Sequence, residues 1–129
     1  MTALIRVLVV DDSAFVRKVV KEMLVRGGAF DVVGLARDGE EALELAERLH
    51  PDVITLDLVM PNVDGWQFIE ERSHDPRLSR IPVVLISGQV AARETARSLG
   101  LASCIEKPIG VASVREMLVR MRASIPASS

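Results

Sequence analysis

Short apolar runs punctuate the chain, and the polarity changes abruptly at the end of each. The clearest are VLVV at 7–10, VITL at 53–56 and VVLI at 83–86, with a weaker ASCI at 102–105. Runs this short, rich in β-branched side chains and closed by turn residues, read as strands buried on both faces, as in a parallel sheet. A further stretch, DVVGL at 31–35, is less apolar. Between the runs the period becomes helical. Residues 13–26 carry apolar positions at 16, 20, 23 and 24 and stop at Gly27-Gly28. Asp38 with Glu41 three residues on forms a capping box ahead of the stripe Ala42, Leu45, Ala46, Leu49, and His50-Pro51 ends that helix.

Asp64 is the predicted N-cap of a helix through 72, and SHDPRLSRIP after it reads as a polar surface loop. A helix over 90–99 has a thin inner face of Ala92, Thr95, Ala96 and Leu99, which predicts the least firmly docked helix of the set. A last helix is predicted over 110–123. The alternation gives an α/β fold, (βα)5 and doubly wound: a five-stranded parallel sheet with helices on both faces, because each crossover is right-handed and passes through a helix. The runs at 7, 53 and 83 are the most continuous and belong in the centre. That favours the strand order 2-1-3-4-5 of flavodoxin-like folds.

Composition adds bounds. At 129 residues, with 49% hydrophobic and 26% charged residues, the chain fits one compact domain. Residues 1–124 form that domain and 125–129 read as a short tail or the start of a linker. A formal net charge of −2 with cations scattered among acids argues against nucleic-acid binding. The single cysteine, Cys104, suits a reducing compartment. The opening has no signal-peptide layout and no run approaches a membrane span, so the cytoplasm is the expected location.

The chemistry sits where the strands end. Run 7–10 ends on Asp11-Asp12, run 53–56 on Asp57, run 83–86 on Ser87-Gly88, and 102–105 leads through Glu106 to Lys107-Pro108. In open α/β sheets the carboxyl ends of the strands form the binding edge, so parallel neighbours would bring these groups to one rim. Taken alone, Asp11-Asp12 also reads as a helix cap, Ser87 as a turn serine and Lys107 as a surface lysine. Together they form an ion-binding and phosphoryl-handling set. The clustered carboxylates repel one another, and a divalent cation removes that conflict. Few ligands, all of them oxygen, suit Mg²⁺.

The segments VLVVDDS, ITLDLVMPNVDG, VVLISG and EKP, in this order and at these separations, resemble the receiver domain of two-component response regulators, the chemotaxis-type phosphoacceptor family. The resemblance runs over residues 5–121. It implies a signalling switch that accepts a phosphoryl group on Asp57 from a histidine kinase or phosphotransfer protein and then changes its partner-binding surface. It also implies Asp12 and Asp57 as direct Mg²⁺ ligands, Asp11 acting partly through water, and the backbone carbonyl of Val59 completing the set. Lys107 is the natural cation for the phosphoryl group, aimed by a cis Lys107-Pro108 bond that the resemblance implies. Ser87 and the Gly88 N–H are the natural donors. The output would be a separate protein or a fused domain, with a phosphorylation-dependent homodimer also allowed. No membrane contact and no enzyme activity are expected beyond self-phosphorylation and self-dephosphorylation.

Two other readings compete. A Mg²⁺-dependent phosphohydrolase using Asp57 as nucleophile would want a second acid two residues on, where this chain has Val59. A nucleotide or flavin carrier needs a glycine-rich first turn, where this chain has DDSAF. One position departs from the family pattern: Cys104, three before Lys107, stands where an aromatic residue is common. His50, His74, Trp66, Met60 and Phe68 are expected in surface or packing roles.

Overall fold

The computed structural model describes residues 4–57, 64–87, 94, 97 and 103–106. In chain order the elements are β1 (Ile5–Val10), α1 (Ala14–Arg26), β2 (Phe30–Ala36), α2 (Gly39–Leu49), β3 (Val53–Leu56), α3 (Asp64–Ser73), β4 (Val83–Ser87) and β5 (Ser103–Glu106). The five strands form one parallel sheet in the order β2-β1-β3-β4-β5, as the continuity of the apolar runs predicted. Glu94 and Arg97 are helical; the rest of the helix expected over 90–99, and all of that over 110–123, lies outside the described residues.

Alternation along the central strands builds two apolar layers. Val7 and Val9 of β1, with Val53, Val84 and Ile86, pack on Val20 and Leu24 of α1. Leu8 and Val10, with Ile54 and Leu56, pack on Ala42 and Ala46 of α2 and on Phe68 and Ile69 of α3. Helices therefore cover both faces. The capping box predicted at Asp38 is in place, and α1 has a cap that the pattern did not predict, Ser13. Ser13 Oγ accepts from the Val16 N–H at 3.2 Å, and Asp38 Oδ1 accepts from the Glu41 N–H at 2.8 Å while Glu41 accepts from the Arg37 N–H at 3.2 Å. Asp64, expected as a cap, is the first residue of α3 itself.

Three further features were not anticipated. The pairing of β1 with β2 slips between Val7 and Leu8, so Val7 faces Val32 and Leu8 faces Gly34. At Gly34 a Cβ would stand 2.9 Å from Leu49 Cδ1 and 3.1 Å from Leu8 Cδ1, so the missing side chain lets α2 close on the strand. His50 ends α2 in the left-handed region (φ 47°, ψ 62°) and is pinned there, its N–H on the Ala46 carbonyl and its own carbonyl receiving Arg6 Nη1 at 2.9 Å. The segment after α3, expected as a polar surface loop, buries Leu78 and Ile81 in the α2–α3 layer. Arg72 holds it from below, donating Nη2 to the Ile81 carbonyl at 2.6 Å and to the Ser79 carbonyl at 3.2 Å. Burial pushes the Arg72 guanidinium down from its ordinary pKa.

Candidate functional site

The carboxyl edge of the sheet is built by β1 and β3 ending level. Val10 pairs with Leu56 across the two strands, and the next residue on each is an aspartate. The Asp57 N–H donates to the Val10 carbonyl at 3.1 Å, and the Asp11 N–H donates in the other direction, to Ala36 at the end of β2, at 3.0 Å. Both acids are nearly enclosed, with 3% of Asp11 and 4% of Asp57 exposed, whereas Asp12 lies open to solvent. Enclosed carboxylates are rare unless partners or a cation hold them.

One ligand oxygen from each of Asp11, Asp12 and Asp57 can be chosen so that all lie within 4.8 Å of one another. This donor set fits a hard cation: oxygen only, three charges, two of them shielded and one facing water. The loop that presents the pair is fixed on several sides. Asp11 Oδ1 accepts from the Ser13 N–H at 2.9 Å, in the N-cap turn of α1, and the Asp11 carbonyl accepts from Arg17 Nη1 at 2.6 Å. Neither acid is the N-cap of α1, which is Ser13, so the helix-cap reading of the pair does not hold. Asp11 supports the helix start, and it belongs to the acid cluster.

Ser87 closes β4 beside Glu106 of β5, and Cys104 of β5 pairs with Leu85, so strands three, four and five also bring their ends to this edge. The side chains of Ser87 and Cys104, and residues Val59, Gly88 and Lys107 entirely, lie outside the described residues, as do Met60 and the side chain of Trp66. Phe68 is buried in the core and both histidines are exposed, as expected. The Arg17 contact was missed by sequence reasoning. Its signal would have been an arginine one turn into the helix, four residues after the N-cap serine.

Comparison with known proteins decides the family. The sequence profile of the response regulator receiver domain matches residues 7–119. The chain belongs to the response regulator receiver family. Its fold agrees with that of the response regulator domain of Thermotoga maritima CheB, at 34% identity and a TM-score of 0.79 over 98% of this chain and all of that one. A response regulator from Chloroflexus aurantiacus, at 24% identity and a TM-score of 0.80, shares the fold.

Among curated relatives, the protein-glutamate methylesterase/protein-glutamine glutaminase 5 of Myxococcus xanthus is 43% identical over 86% of this chain and 32% of its own length. The enzyme of that name from Halalkalibacterium halodurans is 40% identical over 98% of this chain and 38% of its own length. The receiver chain thus spans about a third of the length of the curated relatives it matches. This corrects the expectation that no enzyme is involved. Proteins that share this receiver sequence are enzymes by name. A receiver's own residues carry no signal for an activity located elsewhere in a longer chain, because its core and site are self-contained. Among the described residues no helix is long and apolar enough to cross a membrane.

Proposed function

We propose that this receiver is a phosphorylation switch in which Asp57 accepts a phosphoryl group from a phosphohistidine of a kinase or phosphotransfer protein. A carboxylate oxygen of Asp57 bonds to phosphorus as the phosphorus–nitrogen bond of the donor breaks, giving an acyl phosphate and returning the imidazole. The observation that carries the reading is the convergence of Asp11, Asp12 and Asp57 within 4.8 Å at the level ends of β1 and β3. Mg²⁺ held by these acids, with the Val59 carbonyl as a further ligand, would neutralise charge as the phosphoryl dianion approaches. Lys107, Ser87 and the Gly88 N–H take the remaining phosphoryl oxygens, a role supported by the family pattern and by the placement of β4 beside β3 and of β5 beside β4.

The proposed receiver unit is 1–124. The named relatives support a methylesterase/glutaminase output controlled by this switch, and the cytoplasm is its proposed compartment. Acetyl phosphate with the purified chain tests the acceptor. Intact mass should rise by one phosphoryl group with Mg²⁺ present, and stay unchanged with chelator or in Asp57→Asn. Equal incorporation into Asp57→Asn would overturn the assignment.

A further inference from the structure

Arg17 lies in the second turn of α1, yet its side chain runs back past the helix start. Nη1 donates to the Asp11 carbonyl at 2.6 Å in a half-buried position. A charged donor on a neutral carbonyl at this distance is a strong hydrogen bond. Asp11 does not depend on it for its place: its N–H is bonded to Ala36 at 3.0 Å and its carboxylate to the Ser13 N–H at 2.9 Å. What Arg17 adds to the loop beyond these bonds is a fixed positive charge. It adds it on the main chain of one of three acids whose carboxylate oxygens gather within 4.8 Å.

We propose that Arg17 is a built-in counter-charge of the acid cluster, offsetting the mutual repulsion of Asp11, Asp12 and Asp57 before any cation arrives. The proposal rests on the metal-binding reading above and deepens it. A guanidinium on the Asp11 carbonyl offsets carboxylate repulsion in the metal-free site, and it opposes the entry of a second, divalent charge. The two effects have opposite signs. Removing the charge should therefore loosen the metal-free protein and tighten its grip on the metal, because the other two bonds on Asp11 preserve the ligand geometry. A mere tether would do the reverse for the metal, since a freed loop binds more weakly.

Wild type, Arg17→Gln and Arg17→Lys are compared by thermal unfolding without metal and by calorimetric titration with MgCl₂ at low salt. Arg17→Gln should unfold at a lower temperature without metal and bind Mg²⁺ more tightly, on the order of tenfold, as expected for a unit charge acting on a divalent ion several ångströms away. Arg17→Lys should keep the wild-type values of both. Unchanged or weaker Mg²⁺ binding in Arg17→Gln overturns the proposal, as does Arg17→Lys behaving like Arg17→Gln. If wild type itself shows no Mg²⁺ binding, the metal reading fails. The metal-free ranking still judges Arg17 in that case: Gln below Lys sustains the counter-charge, and equal midpoints overturn it.

Discussion

The Asp57 N–H donates to the Val10 carbonyl at 3.1 Å, joining the first residue past β3 to the last residue of β1. That bond sets the ends of the two central strands level and makes Asp11 and Asp57 neighbours although 46 residues separate them in the chain. The acid cluster is thus a product of sheet register. Perturbing the acids one at a time separates support of the fold from service to the site.

Asp11 and Asp12 should respond oppositely to truncation. Asp11→Ala removes the acceptor for the Ser13 N–H at the start of α1, and leaving that donor unpaired should cost about 1 kcal/mol. Asp12 is exposed, so Asp12→Ala mainly relieves like-charge repulsion and should raise the unfolding midpoint without metal. Urea titrations with chelator show the split. In saturating MgCl₂ both variants should lose most of the stabilisation that the wild type gains.

Thr55 lies in the middle of β3, 1% exposed, and its Oγ1 has no hydrogen-bond partner among the described residues. Its neighbours across the ladder are Val9 and Val84. Valine has the same shape and no hydroxyl to desolvate, so Thr55→Val should stabilise the protein by about 1 kcal/mol. A higher urea midpoint with an unchanged slope is the expected result. A fall of the midpoint would mean that the hydroxyl has a partner in solution.

Arg72 secures residues 79–81 through three hydrogen bonds from Nε and Nη2 to the Ser79 and Ile81 carbonyls. Arg72→Ala should cost about 2 kcal/mol, within the range for bonds from charged donors at a partly exposed site. Amide exchange should accelerate around Leu78 and Ile81, the two residues this segment buries. Arg72→Lys should recover only part of the loss, because an ammonium cannot reproduce the planar fork.

Much of the fold was legible before any coordinates. Strands buried on both faces leave continuous apolar runs, and the apolar continuity of each run ranks its centrality, which is why 2-1-3-4-5 could be read from residues 7, 53 and 83 against 32 and 102. Caps are local chemistry, and Asp38 with Glu41 announces itself within four residues. The strand-end acids were visible for the same reason: a carboxylate directly after a buried run has few inexpensive explanations.

The tertiary structure alone decided what depends on register and reach. Patterning could place Asp11, Asp12 and Asp57 on one edge, but only the pairing of Val10 with Leu56 brings their oxygens within 4.8 Å. The loop 74–82 looked polar because five of its nine residues are charged, serine or histidine, yet Leu78 and Ile81 turn inward once Arg72 grips the backbone. The slip at Leu8 and Gly34 and the return of Arg17 to Asp11 are likewise invisible to periodicity. Periodicity records which face a residue takes. Which residue of another segment it meets there is set by strand register and side-chain length, and those are settled only when the sheet has formed.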